Sequence, residues 1–127
     1  MVTIEILNRA YECVKVCDAC VVGMPVKDTI KIADKEGYIT QTPDRNMVWL
    51  IQTPQVFSYK LIKEAYETLI RKEDILISQE VNITDDAMVV ETLMNHPVKL
   101  VEGSYRNIKI TTSEDLLIAE SFDNIKY

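Results

Sequence analysis

The chain has 127 residues, of which 47% are hydrophobic and 27% charged, and this composition indicates one globular domain with its own core. Its formal net charge of -6 excludes a basic field that would hold a nucleic acid or an anionic membrane surface. No apolar run reaches the length of a membrane span and the first residues lack a signal-peptide pattern, so we expect a cytoplasmic protein.

The chain is predicted to open with a helix and a buried strand. Thr3 can cap a helix that runs to about Cys17, because apolar residues recur at three- and four-residue steps along it. These residues are Leu7, Ala10, Tyr11 and Val14. The continuous apolar run 19–26 then predicts a strand that is covered on both sides.

A hairpin is predicted next. Residues 29–32 and 38–40 are rich in β-formers, and between them Gly37 can take the positive φ that a hairpin turn needs. A hairpin is marginal alone and needs another surface to lie on. Residues 49–51 form a further short apolar strand, which we expect to end at Pro54.

Two helices follow in the middle of the chain. Ser58 is predicted to cap the first, and Thr84 the second, with Asp85 and Asp86 in its first turn, where the helix dipole favours negative charge. The residues of the first helix that we expect to be buried are Tyr59, Ile62, Ala65, Tyr66, Leu69 and Ile70.

The last predicted elements are strands over residues 98–101 and 107–111 and a helix through Phe122. Thr112 and Asp115 form an approximate capping box at the start of that helix. Because strands alternate with helices along the chain, we expect an α/β layer structure with a largely parallel sheet and one hairpin.

Three cysteines near the start, Cys13, Cys17 and Cys20, allow either a metal site or free thiols. A closed zinc site needs four ligands, and the only histidine, His96, is far away in the sequence. An odd number of thiols also fits a reducing compartment better than a disulfide framework. We therefore predict buried or partly buried free thiols.

Few polar groups could carry chemistry, and most stand at the ends of predicted strands, where ligands bind in open α/β sheets. They are Asp28, Thr29, Asp44, Arg45, Thr53, Thr84, Asp85, Asp86 and Lys109. No Ser-His-Asp arrangement is available around the single histidine, and the three glycines form neither G-x-G-x-x-G nor a P-loop. Neither a hydrolase nor a self-contained nucleotide site is expected.

Each of these residues also has a purely structural interpretation. Lys109, between two isoleucines, is either a solvated strand residue or a point charge for a phosphate. Arg45 is either a surface residue at the hairpin end or a bidentate phosphate ligand. Asp85 and Asp86 are either helix-start residues or metal ligands. Thr53 either ends a strand or donates a hydrogen bond to an anion.

Five stretches together resemble the 2-C-methyl-D-erythritol 4-phosphate cytidylyltransferases of isoprenoid precursor synthesis. They are PVKDTIK (25–31), Asp44-Arg45 followed by Trp49, QTPQVF (52–57), TDDA (84–87) and VEGSYRNIKIT (101–111) with EDL (114–116). They stand in the family's order and separations, from about Val2 to Phe122. The resemblance implies a Rossmann-like nucleotidyltransferase sheet with flanking helices and a protruding β-hairpin arm. It implies one partial domain, residues 1–127, with a dimerisation arm at 29–49.

The resemblance also implies a role for each site residue. Lys109 would contact the phosphate of methylerythritol phosphate and position it for attack on the α-phosphorus of CTP. Arg45 and Thr29 would act from the neighbouring subunit of a homodimer formed through the arm. Thr53 and Thr84 would line the pocket within the subunit. In phosphoryl-type transfer such groups act mainly by positioning the reactants and by stabilising negative charge with a cation.

Members of this family are close to twice as long, and their first half carries a glycine-rich loop for the CTP phosphates and an acidic segment near the metal. This sequence contains neither, so it resembles the C-terminal half, and we expect it to be inactive alone. Magnesium or another divalent cation would be held mainly by the other half. The alternatives are a pentitol-phosphate cytidylyltransferase of the same superfamily and a non-catalytic dimerisation module. Strand edges left open in half a sheet also predict an oligomer.

Overall fold

The computed structural model describes residues 1–124, which form both helices and strands. The helices are α1 (Ile4–Cys17), α2 (Tyr59–Ser78), α3 (Asp86–Met94) and α4 (Ser113–Asn124). The strands are β1 (Ala19–Pro25), β2 (Ile32–Ala33), β3 (Ile39–Gln41), β4 (Trp49–Phe57) and β5 (Lys99–Glu102), and a 3-10 turn spans Arg45–Met47. The architecture is α/β, as predicted.

The main sheet has three strands in the order β4-β1-β5, so β1 lies at its centre. β1 pairs antiparallel with β4 and parallel with β5. The sheet is therefore mixed, and the prediction of a largely parallel sheet is wrong for the described residues. The chain passes from β1 to β4 through the hairpin, without the crossover helix that parallel neighbours require.

Helices cover both faces of this sheet. On one face α1 packs through Ile6 and Ala10 against Cys20, Val22 and Val101. On the other face α2 and α3 join β1 in a second cluster, whose buried members are Ala19, Ala65, Val89 and Val90. Because side chains of a strand alternate between faces, β1 supplies both cores, and the prediction that it is covered on both sides is confirmed.

The predicted buried side of α2 is only partly confirmed. Ala65 is buried and both Ile62 and Leu69 pack against its cluster. The other residues expected in the core are exposed, by 77% for Tyr59, 37% for Tyr66 and 72% for Ile70. Among the described residues only a narrow side of this helix meets α3 and the sheet. The spacing of apolar residues therefore predicts more buried residues in α2 than the structure has.

β4 is longer than predicted, because it continues past the Thr53–Pro54 peptide, which is cis, to the residue before the N-cap of α2. The register against β1 shifts at this point, and residues 52–54 lie opposite Val22 alone. Within such a bulge a proline breaks no regular ladder of hydrogen bonds. The prediction that the strand ends at Pro54 is therefore wrong.

Residues 107–111 form a loop between β5 and α4, and the prediction of a strand there is wrong. The chain turns instead: the amide of Asn107 donates to Ser104 O at 2.9 Å, and its side chain donates to Thr53 O at 2.8 Å. Within the described residues no strand lies alongside this segment. Lys109 therefore projects from a loop and not from a strand end.

The predicted capping box of α4 is confirmed, whereas the predicted cap of α3 is wrong. The amide of Thr112 donates to Asp115 Oδ2 at 2.9 Å, and the amide of Asp115 donates to Thr112 Oγ1 at 3.3 Å. Asp85 and not Thr84 is the N-cap of α3, since its carboxylate accepts from the amide of Met88 at 2.8 Å. Aspartate caps a helix at least as well as threonine.

The hairpin of β2 and β3 is confirmed, with Gly37 at a φ of 88° in its turn. The described residues of the hairpin strands are all exposed. The thiol prediction is also confirmed, with Cys20 buried and both Cys13 and Cys17 partly buried as free cysteines. None of the described helices combines the length and the apolar character needed to cross a bilayer.

Candidate functional site

A cleft of about 350 Å³ lies where β4, the start of α3 and the loop after β5 meet. Its lining residues are Ile51, Gln52, Thr53, Gln55, Thr84, Asp85, Asn107 and Lys109. The fold thus brings together Thr53, Thr84 and Lys109, which are three of the predicted site residues. Another cleft, of about 390 Å³ beside Met1 and α4, contains none of them.

One side of the cleft is fixed by a network of side-chain amides. Gln52 donates through Nε2 to Ser104 O at 2.7 Å. Asn107, only 7% exposed, donates through Nδ2 to Gln52 Oε1 at 3.3 Å and to Thr53 O at 2.8 Å. These bonds tie the loop after β5 to the bulge of β4. They explain why Lys109, two residues further on, lines the same cleft as Thr53.

The opposite side is fixed by Gln55, which holds the start of α3. Its Nε2 donates to Asp85 Oδ2 at 3.0 Å, and its Oε1 accepts from the amide of Ala87 at 3.0 Å. The second oxygen of Asp85 accepts from the amide of Met88 at 2.8 Å. Both carboxylate oxygens of Asp85 are therefore engaged, and the adjacent Thr84 has a fixed position in the lining.

Lys109 is the only cation among the lining residues, and it forms no ion pair within residues 1–124. The Thr53 and Thr84 side chains are exposed, and the Thr84 hydroxyl has only a weak sulfur contact, to Met88 Sδ at 3.8 Å. An ammonium with two hydroxyls is suited to an anionic ligand that carries hydroxyl groups, and a lysine binds a phosphate as a point charge.

Thr29 and Arg45 are not brought into this cleft. Thr29 is exposed in the connection between β1 and β2, and Arg45 begins the 3-10 turn before β4. The guanidinium of Arg45 donates through Nη1 to Lys27 O at 2.9 Å. Their action from a neighbouring subunit, and the boundaries 29–49 of the arm, stay predictions.

The described residues do not fit a divalent-cation site. No group of three or more histidine, cysteine, aspartate or glutamate side chains gathers within residues 1–124. The one carboxylate that lines the cleft, Asp85, is occupied by Gln55 and the α3 backbone. The roles given to this chain's residues therefore involve no metal ion, and the implied magnesium stays a prediction.

Three residues that shape the cleft are absent from the sequence-based predictions, namely Gln52, Gln55 and Asn107. One signal was available in the stretch QTPQVF, since two amide side chains stand in a segment that also carries strand-forming residues. Amides that become buried in a sheet need hydrogen-bond partners. The partners themselves lie some 30 or 50 positions away, where no local pattern indicates them.

Comparison with known proteins places this geometry in a family. The family model for 2-C-methyl-D-erythritol 4-phosphate cytidylyltransferase, IspD, matches residues 1–123. The protein of that name from Lachnospira eligens is 52% identical over 118 residues, which cover 93% of this chain and 50% of that protein. The one from Lachnoclostridium phytofermentans is 48% identical over 115 residues, covering 91% of this chain and 47% of that protein.

Solved structures agree with these sequence relatives. The 4-diphosphocytidyl-2C-methyl-D-erythritol synthase of Anaerococcus prevotii superposes with a TM-score of 0.85 at 34% identity, covering 98% of this chain and 54% of that one. The 2-C-methyl-D-erythritol 4-phosphate cytidylyltransferase of Thermus thermophilus gives a TM-score of 0.79 at 32% identity, covering 98% and 57%. The chain spans about half the length of the curated relatives it matches.

Proposed function

Because the chain belongs to the 2-C-methyl-D-erythritol 4-phosphate cytidylyltransferase family, we propose that it supplies the polyol-phosphate site of such an enzyme. The reaction transfers CMP from CTP to 2-C-methyl-D-erythritol 4-phosphate and releases pyrophosphate. The observation that carries the proposal is the cleft in which Lys109 lies with the hydroxyls of Thr53 and Thr84. The names of the relatives support this substrate over the pentitol phosphate of the alternative.

In this proposal the residues of the cleft act by position and charge. The phosphate of the polyol lies against the Lys109 ammonium, while Thr53 and Thr84 hydrogen-bond the same substrate. A phosphate oxygen then attacks the α-phosphorus of CTP, and the bond from that phosphorus to the departing pyrophosphate breaks. Lys109 lowers the repulsion between the two phosphates and fixes the angle of attack, which is the help that phosphoryl transfer needs most.

We expect these 127 residues by themselves to bind the polyol phosphate without releasing pyrophosphate from CTP. The sequence has three glycines and no glycine-rich loop that would cradle the CTP phosphates. Thr53, Thr84 and Lys109, by contrast, line one cleft within a single folded chain. The three free thiols fit a reducing compartment, which supports a cytoplasmic location.

A chimera tests the proposal directly. Residues 1–123 replace the corresponding half of the Lachnospira eligens relative, and pyrophosphate release is measured with CTP and methylerythritol phosphate. Lys109→Ala should lower kcat/KM about 100-fold or more, because it removes the charge nearest the reacting phosphate. Lys72→Ala, on the exposed surface of α2, is the matched control and should leave turnover unchanged.

The 127-residue chain gives a second measurement that does not need turnover. Calorimetric titration with methylerythritol phosphate should show binding that Lys109→Ala weakens and Lys72→Ala does not. A chimera that folds but releases no pyrophosphate, together with a chain that does not bind the polyol phosphate, would favour the non-catalytic module. Equal binding by the Lys109→Ala and Lys72→Ala variants would disprove the role of Lys109.

We also propose that residues 29–49 form a dimerisation arm through which Arg45 and Thr29 reach the cleft of a second copy. The arm presents apolar side chains to solvent, with 46% of Ile32, 73% of Tyr38 and 63% of Ile39 exposed. A two-stranded hairpin is marginal alone, and exposed apolar side chains of this kind are typical of an interface.

The mass in solution tests the arm. Light scattering after size exclusion should give about twice 14.6 kDa at micromolar concentration for the parent chain. The double variant Tyr38→Ser/Ile39→Ser should give the monomer mass. Ile77→Ser changes an equally exposed apolar residue at the end of α2 and should keep the dimer. A parent chain that is monomeric under these conditions would refute the dimerisation arm.

A further inference from the structure

Tyr105 makes two contacts that the proposed function does not use. It lies in the loop after β5, and its phenol donates to Pro25 O, at the end of β1, at 2.7 Å. The ammonium of Lys27 lies 3.7 Å from the centroid of its ring. Lys27 belongs to the segment that leads from β1 into the arm. One aromatic side chain therefore contacts both the end of the central strand and the start of the arm.

The contacts continue from Lys27 to the far end of the arm. The Lys27 carbonyl accepts from Arg45 Nη1 at 2.9 Å. A backbone bond from the amide of Val26 to Val48 O, at 3.0 Å, closes the same region. Tyr105, Lys27 and Arg45 thus form an unbroken chain of contacts, which we name the arm clamp.

The arm clamp also reaches the cleft, because Tyr105 shares its loop with Lys109. The amide of Asn107 donates to Ser104 O at 2.9 Å, so the residues on either side of Tyr105 form one turn. Asn107 is in turn bonded to Thr53 O at 2.8 Å. A displacement of Tyr105 would therefore move the turn that holds Lys109 beside Thr53.

The chemistry of Tyr105 suits it to join these two segments. A tyrosine has few rotatable bonds, and its hydroxyl fixes one end while a cation over the ring fixes its face. Tyr105 is 39% exposed, so it is not held by burial in the core. Its role is better explained by the two elements it joins than by the stability of the fold.

We propose that Tyr105 is a positioning residue that couples the arm to the Lys109 loop, so that the arm's Arg45 and the loop's Lys109 are oriented together. The structural half of this proposal concerns the chain alone. Its consequence for substrate binding rests on the proposed function, in which Lys109 serves the phosphate in its own cleft and Arg45 serves the phosphate in the cleft of a second copy.

Hydrogen exchange on the 127-residue chain tests the structural half. Tyr105→Ala should speed amide exchange at least about fivefold both in residues 26–48, which include most of the arm, and in the loop, residues 103–109. Tyr105→Phe keeps the ring under Lys27 and should give a smaller increase. Tyr59→Ala removes a tyrosine that is 77% exposed on α2 and should change neither segment. Faster exchange in the loop alone, or in neither segment, would overturn the coupling.

Kinetics of the chimera test the consequence for the substrate. Tyr105→Ala should raise KM for methylerythritol phosphate about tenfold and leave KM for CTP unchanged, because it removes one hydrogen bond and one cation–π contact. Lys27→Met should reproduce part of the effect, and Lys27→Arg should restore it. A merely structural role would lower both substrate affinities and the thermal midpoint together.

A double-mutant cycle separates coupling from independent effects. If the clamp works through Arg45, the Arg45→Ala/Tyr105→Ala variant should be little worse than Arg45→Ala alone. Fully additive losses would contradict the clamp even if both single variants are impaired. A chimera without any turnover would count against the proposed function, while the exchange result would still decide the coupling.

Discussion

The cleft and the arm both carry predicted site residues, but they are held in different ways. The cleft is bound by side-chain hydrogen bonds between distant segments, such as Asn107 to Thr53 and Gln52 to Ser104. The tip of the arm is held by its own turn, in which Asp34 accepts from two nearby amides. Part of the predicted site therefore lies within a single folded chain, whereas we expect the part on the arm to need another surface.

Removal of the buried amide should have the largest effect on stability. Asn107→Ala removes the side-chain donor to the Thr53 carbonyl and one of the two donors to Gln52 Oε1, which costs about 2–3 kcal/mol of unfolding free energy. Urea denaturation measures this loss. Asn46→Ala, exposed in the 3-10 turn beyond the arm strands, is the control and should change stability by less than about 0.5 kcal/mol. Equal losses would mean that the amide network does not hold the cleft.

Gly103 beside the cleft and Gly37 in the arm should respond differently to an added methyl group. A methyl group added at Gly103 would lie 2.3 Å from Gln52 Oε1 and 2.6 Å from Val22 Cγ1. Gln52 can move only by giving up its bond to Ser104, and Val22 is fully buried, so Gly103→Ala should cost about 1–3 kcal/mol by overpacking. The thermal midpoint should fall accordingly.

The corresponding change in the arm should act through the backbone and stay local. Gly37 has a φ of 88° and nothing within 4 Å of an added methyl group. Gly37→Ala should therefore cost about 1 kcal/mol of hairpin stability. Because the hairpin strands pair only with each other within residues 1–124, we expect faster amide exchange in the arm and an unchanged thermal midpoint. A midpoint that falls as far as with Gly103→Ala would show that the arm belongs to the cooperative core.

The smallest effect concerns alkaline pH. Tyr66 on α2 donates to the carboxylate of Asp86 at the start of α3, and this bond, with partial burial and the nearby negative charge, raises the pKa of Tyr66 to about 12. A raised pKa in the folded state means that the bond stabilises the fold below pH 10 and loses this effect as the pH rises from 10 to 12.

Ultraviolet titration of the tyrosines measures this step. Asp86→Asn should bring the last tyrosine ionisation to lower pH, because it removes the charged acceptor. Tyr38→Phe, which removes a phenol at the tip of the arm, should leave that last step in place. If Asp86→Asn has no effect on the titration, the link between α2 and the start of α3 is not the one described.

The sequence predicted those elements whose signals are local. The spacing of apolar residues predicted α1, the continuous apolar run predicted β1, and Gly37 predicted the hairpin turn. The capping box at Thr112 was also readable, since its two residues are only three positions apart. The family, too, was recognisable from five short stretches in order, and the match over residues 1–123 confirms it.

The wrong predictions about Pro54, residues 107–111 and the cap of α3 have a common physical cause. In each case the outcome depends on which distant segment pairs or bonds with the residue, and the local sequence does not contain that information. A proline such as Pro54 usually ends a strand, but here it lies in a bulge of β4 opposite β1, where the strand can continue. The isoleucines beside Lys109 read as a strand, but no neighbouring strand is available among residues 1–124. At the start of α3, Asp85 prevails over Thr84 as the cap because its carboxylate also bonds Gln55.

The sequence by itself therefore determined the local elements, the family and the identity of the candidate residues Thr53, Thr84 and Lys109. Only the tertiary structure decided that these three share one cleft, while Thr29 and Arg45 lie elsewhere in the chain. Gln52 and Asn107 connect segments more than 50 positions apart, and such bonds leave no periodic trace in a sequence. A hydrogen bond fixes a site only after the packing of the sheet has brought its donor and acceptor together.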